Sequence, residues 1–160
     1  MRVLLIPLVL GGLLAACGAA APEHGGAAPT FSRGTATITT PEQTIVLRVE
    51  IARTDAQRQR GLMHRRSLAP KAGMIFAYDE PQTGGFWMKN TLIPLDIAFY
   101  NSRGRIVRIL RMQPCREDPC PIYFPDAAYR GALEVNAGSF RRWGVERGDR
   151  IVVRGATRTG

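Results

Sequence analysis

Histidine is nearly missing from this chain of 160 residues, which carries two, His24 and His64. A Ser-His-Asp or Cys-His enzyme would have to be built on His64 alone, among neighbouring arginines, and the sequence does not favour it. Cysteine is equally scarce, at three. Cys17 sits in the N-terminal apolar segment, and Cys115 and Cys120 share the stretch "QPCREDPCPIYFP". Redox motifs place two residues between their cysteines, and a structural zinc site needs a second ligand pair. Neither pattern is present, so no metal and no cofactor is expected, and Cys115 with Cys120 reads as a disulfide closing a short loop. There is no phosphate-cradling glycine loop and no nucleophile elbow. The longest apolar run, Val3 to Leu14, is about twelve residues, well short of a membrane span of roughly twenty. Acidic residues are few as well: 13 against 22 basic ones, for a net charge of +9.

What is present begins with that short apolar run. Arg2, the run and the small residues after it make a secretory leader, and Leu14-Ala15-Ala16-Cys17 resembles the lipobox of bacterial lipoproteins. Residues 1–17 are therefore expected to be a lipoprotein signal ending at a lipid-bearing Cys17. The alternative is an ordinary signal cleaved a few residues later, giving a soluble periplasmic protein. Gly18 in place of Asp after the cysteine favours the outer membrane. Residues 18–34, rich in Ala, Gly and Pro, read as a flexible tether. A single domain over 35–153 and a disordered tail over 154–160 complete the expected layout.

The basic residues are almost all arginine and are scattered rather than banked. Their functional reading is attraction to anionic lipid or glycan in the cell envelope. Nucleic acid is not expected as a partner, because no binding motif accompanies the charge. The oligomeric state is not readable from the sequence.

Along the domain, "TATITTPEQTIVLRVEIA" reads as a hairpin with Ile45, Leu47, Val49 and Ile51 on one face. Thr54 with Gln57 three residues later is a capping-box signature, predicting a helix of about nine residues to near Met63. "GMIFAY" is a strand, "DEPQTGG" a loop, "FWM" a strand, "KNTLIP" a turn around Pro94, and "LDIAFY" a strand. "NSRG" turns that strand into "RIVRILRM". Asp126 is expected to cap a helical turn, "ALEVNA" to be a strand, Ser139 to start a short helix that ends at Gly144, and "RIVV" to close the fold. The pattern predicts a compact α+β domain with a mostly antiparallel, rolled or barrel-like sheet and two short helices.

Three polar residues interrupt the apolar "FWMKNTLIPLDIAFY": Lys89, Asn90 and Asp96. A second strand carboxylate, Glu134, could join Asp96 in general acid-base work on a glycosidic bond. The commoner arrangement gives each acid a buried cation, with Arg65 and Lys89 as the available partners. Met63, Met74, Met88 and Met112 lack the spacing of a copper site and read as core. Gly84-Gly85 before Phe86-Trp87 allows a close backbone approach with an aromatic face presented to a ligand.

"RGLMHRRSLAPKAGMIFAYDEPQTGGFWMKNTLIPLDIAFYNSRGRIVRI" and "YRGALEVNAGSFRRWGVERGDRI" together resemble the bacterial and archaeal family known as domain of unknown function 192. The resemblance covers roughly Ile45 to Val153 and implies a small α+β barrel-like domain, commonly exported or membrane-associated. It implies no mechanism. Its signature positions include Gly61, Arg65, Trp87, Lys89, Asn90, Asp96 and Glu134, whereas the Cys115–Cys120 loop is a local elaboration. The expectation is a lipid-anchored, non-enzymatic module binding a polar or anionic, glycan-like envelope ligand near Arg65, Trp87, Lys89, Asn90, Asp96 and Glu134. A carboxylate-dependent hydrolase or transferase using Asp96 and Glu134 is the enzymatic alternative. A purely structural or interaction role is the third.

Overall fold

The computed structural model describes residues 28–155. The leader, Cys17 and most of the expected tether lie outside the described residues, as does the chain after Gly155. Eleven elements follow in chain order: β1 (Ser32–Thr39), β2 (Thr44–Ala52), α1 (Asp55–Arg60), β3 (Ala72–Gln82), β4 (Phe86–Trp87), β5 (Leu95–Tyr100), β6 (Ile106–Met112), β7 (Ile122–Tyr123), β8 (Tyr129–Asn136), α2 (Ser139–Arg142) and β9 (Arg150–Gly155). Seven strands form one sheet in the order β6-β5-β8-β3-β2-β1-β9, and β4 pairs with β7 in a separate ribbon. Every pairing in the large sheet is antiparallel except β2 with β3. A parallel pair needs a crossover, and α1 with residues 61–71 provides it.

The sheet rolls so that its edges approach. Arg105 and Arg150 form an isolated antiparallel bridge. The Ile151 N–H donates to the Gly104 carbonyl at 2.7 Å, and the Ile106 N–H to the Asp149 carbonyl at 2.8 Å. One bridge is not a continuous ladder, so the fold is a rolled α+β sheet and not a closed barrel. Inside the roll, alternate side chains of β2 (Ile45, Leu47, Val49, Ile51) meet Ile38, Leu133, Val135 and Phe140 of α2. The outer face carries a second core, in which Met74, Phe76, Ile97, Phe99 and Met112 lie beneath Leu62 of the crossover and Met88. Strand β5 is thus buried on both faces, which is why "LDIAFY" reads as apolar with little alternation.

Several expected boundaries move. β1 begins at Ser32, inside the stretch read as tether, and β9 runs through Arg154 and Gly155, into the expected tail. The Thr54–Gln57 capping box is formed, but α1 is six residues long, because Gly61 turns the chain at φ +43°. β3 continues through the "DEPQ" expected as loop, held by pairing of Gln82 with Tyr129. Asp126 starts no helix; it adopts φ +58° ahead of β8.

Candidate functional site

The polar residues of "FWMKN" are arranged to hold the outer cover together. Asn90 adopts φ +57°, and its carbonyl accepts the His64 N–H at 2.8 Å. The Met88 carbonyl accepts from the Thr91 N–H at 3.1 Å and from the Cys115 N–H at 3.5 Å. These bonds tie the crossover, the signature turn and the cysteine loop into one layer. Lys89 pairs with Asp118 at 2.8 Å, both partners substantially exposed. This corrects the expected pairing with Asp96 or Glu134: the acid comes from the loop between Cys115 and Cys120, whose Cα atoms lie 5.5 Å apart at disulfide geometry. Trp87 is half exposed on β4 opposite Ile122, while Phe86 packs edge-on against Phe76 at 4.9 Å.

The two strand carboxylates do not form a catalytic pair. Asp96 is opposite Val135 in β8, and Glu134 is opposite Ile97 in β5. Neighbouring register positions point to opposite faces of a sheet, so Asp96 faces into the roll and Glu134 faces the outer core. The expected two-acid hydrolase geometry is therefore overturned. Asp96 is buried and satisfied: Arg111 Nε donates to Oδ1 at 3.0 Å and the Gly138 N–H to Oδ2 at 2.7 Å. Glu134 is 4 % exposed, opposite Met74 on one side and Ile97 on the other. Burial pushes its carboxyl up to about 8, so that it is mostly protonated at neutral pH. Tyr78, whose own hydroxyl is raised by burial, lies within range of its charge.

Of the expected site residues, Asp96 and Arg65 each line a surface depression, and the two depressions are separate. The one at Asp96 lies beside Arg111 and Phe140, where both carboxylate oxygens are already engaged. The one at Arg65 is a groove of about 420 Å³, and Arg33, Arg48, Glu50, Arg65 and Leu68 are among its walls. It lies where the sheet's outer face emerges beyond the crossover. Arg33 of β1 is directly opposite Glu50 of β2, and Arg48 is two residues before Glu50 on the same face. Arg65 reaches Glu50 from the crossover. Arg33 and Arg48 are exposed and make no ion pair among the described residues. The far wall is fixed in place: Asn136 Nδ2 donates to the Leu68 carbonyl at 2.8 Å, and the Arg48 N–H to the Lys71 carbonyl at 3.0 Å. Neither Arg33 nor Arg48 stands out in the sequence, where their convergence with Arg65 depends on strand register and on a parallel crossover. The one available signal is their parity, opposite to Val49 and Ile51 along "IVLRVEI", which places Arg48 and Glu50 together on the outer face.

Comparison with known proteins agrees with this architecture. A family model described as "Uncharacterized ACR", DUF192, matches residues 36–153. No curated protein matches the chain. The fold is similar to a crystal structure of a candidate transcription regulator from Sinorhizobium meliloti, with a TM-score of 0.73, 37 % identity, 80 % of this chain and 97 % of that one covered. It is similar also to a protein of unknown function from Novosphingobium aromaticivorans, with a TM-score of 0.72, 34 % identity, 89 % of this chain and 99 % of that one covered. The matched span takes in the whole rolled sheet except the first residues of β1 and the last of β9, together with the crossover and the signature turn: the chain belongs to the DUF192 family.

Proposed function

We propose that this protein is an exported, lipid-anchored domain that binds a polar or anionic ligand of the cell envelope without chemically transforming it. The observation that carries the reading is the arginine-lined groove. Three arginines from three separate chain segments line one depression, against a single carboxylate. Guanidinium groups recognise carboxylates, sulfates and phosphates through paired N–H donors, and a wall held by backbone hydrogen bonds lowers the ordering cost of binding. The leader and Leu14-Ala15-Ala16-Cys17 support export and anchoring, and an oxidising compartment would keep Cys115 and Cys120 joined.

The two halves of the proposal separate experimentally. In cells fed a labelled fatty acid, the full chain should take up label and sediment with membranes, whereas Cys17→Ser should lose both properties. An unlabelled wild type in the soluble periplasmic fraction would overturn the anchor. For the groove, the full-length protein should retain polyuronate oligosaccharides or other envelope anions, with retention falling as salt is raised. Arg48→Ala should weaken that retention about tenfold or more, the loss of one charge-assisted contact. Unchanged retention in both Arg33→Ala and Arg48→Ala would overturn the groove as the site.

A further inference from the structure

We infer that the groove takes a phosphate monoester in its dianionic form. The inference rests on the reading of the groove as an anion site and names the class of anion. Three arginines less Glu50 leave the groove with two positive charges, matching the two negative charges that a phosphomonoester carries at neutral pH. A carboxylate supplies one negative charge, and a phosphodiester supplies one.

The geometry adds shape to the charge. Glu50 holds Arg65 from one side, which orients that guanidinium before any ligand arrives. Arg33 and Arg48 stand at diagonal positions on adjacent antiparallel strands, on the order of 7–8 Å apart at the backbone. That is close enough for both side chains to reach one phosphate. The amides of Ser67, Leu68 and Ala69, along the opposite wall, donate no hydrogen bond among the described residues. Backbone N–H groups left unengaged beside cationic side chains are available as donors to an anion. Glu50 Oε1 likewise accepts nothing among the described residues, so a ligand hydroxyl beside the phosphate has an acceptor ready. Leu68, Ala69 and Ala72 supply apolar walls for the carbon skeleton. The ligand class is therefore a phosphorylated polyol or sugar, or a lipid whose headgroup is a phosphomonoester.

The test is calorimetric titration of the full-length protein in detergent with glycerol 3-phosphate. The second phosphate ionisation falls near pH 6, so affinity should rise about tenfold from pH 5 to pH 7.5 and then level. The charged groups facing the phosphate are Arg33, Arg48, Arg65 and Glu50. His64, next to Arg65 in sequence but absent from the lining, is controlled by His64→Gln, which should retain the step. Arg33→Ala and Arg48→Ala should each lose tenfold or more with unchanged melting temperature, and Arg48→Lys should recover part of the loss. Glucuronate binding as tightly as glycerol 3-phosphate, or a pH step that disappears in His64→Gln, would overturn the phosphate assignment while leaving an anion groove standing. Failure of every anion to bind would overturn both. Phosphatidylcholine vesicles doped with phosphatidic acid distinguish the two sources. Tighter binding to them than to glycerol 3-phosphate, with none to phosphatidylglycerol vesicles, assigns the phosphate to a lipid headgroup; equal or weaker binding assigns it to a soluble ester.

Discussion

Glu134 shows how far one side chain can be read from its sequence neighbours and where that reading stops. The alternation in "ALEVNA" places it on a strand, but nothing nearby says whether a cation waits on the strands to either side. The register supplies Met74 and Ile97 instead, and a carboxyl between a thioether and an aliphatic chain is driven to its neutral form. Its folded-state value of about 8 lies above the ordinary 4.5. The protonated group therefore makes its full contribution to stability below about pH 4.5, and that contribution is lost as pH rises through 8. A difference of that size between the folded and unfolded chain corresponds to a loss of roughly 5 kcal/mol as an upper bound. Glu134→Gln keeps the shape and stays neutral. Its thermal melting point should match the wild type near pH 4.5 and exceed it by several degrees at pH 8. Parallel melting curves for the two proteins across that range would show that Glu134 is ionised in the fold.

At the scale of elements, Asp96 links β5 to α2. Gly138, which precedes α2, adopts φ +81° and gives its N–H to Asp96, so the helix that carries Phe140 into the roll is docked by a strand carboxylate. Asp96→Ala leaves that buried N–H and Arg111 without their acceptor and should cost about 2–4 kcal/mol in urea denaturation. Asp96→Asn keeps one oxygen for the Gly138 amide and should cost about half as much. A loss under about 0.5 kcal/mol for Asp96→Ala would mean that α2 is held by packing alone. Elements whose signals are local were legible in the sequence. The capping box formed as expected, since its two hydrogen bonds lie within four residues. The "NSRG" turn formed because Asn101 Oδ1 accepts the Arg103 and Arg105 amides. The extension of β3 through Pro81 was not legible, because its support comes from Tyr129, nearly fifty residues away. The groove was hidden for the same reason: Arg33 and Arg48 become neighbours through pairing, and Arg65 joins them through a crossover whose direction no single segment encodes.

At the scale of the whole molecule, the roll depends on how closely its two edge strands can meet. Gly104 lies at that junction with φ +74°, and its carbonyl accepts the Ile151 amide. A Cβ added at Gly104 would lie 2.3 Å from the Ile151 carbonyl oxygen, so any larger residue must push β9 away from the turn before β6. Two causes of destabilisation can be told apart. If left-handed backbone strain dominated, Asn, which tolerates that conformation, would be milder than Ala. If close approach dominates, Gly104→Ala and Gly104→Asn should be equally damaging, each by about 2–3 kcal/mol, a large share of a small domain's stability. The damage should also be local. Amide exchange should speed up at Ile106, Gly148 and Ile151, whose N–H groups bond across the junction. The β3–β8 ladder at the middle of the sheet should keep its protection. An edge that opens this way would leave the Arg33–Arg48–Arg65 groove intact, because β1 is still held by β2. Both variants should therefore bind glycerol 3-phosphate as the wild type does at temperatures below their melting points. Loss of binding in a Gly104 variant that still shows native protection along β1 and β2 would mean that closure of the roll shapes the groove, and that the two sides of the sheet are mechanically one unit.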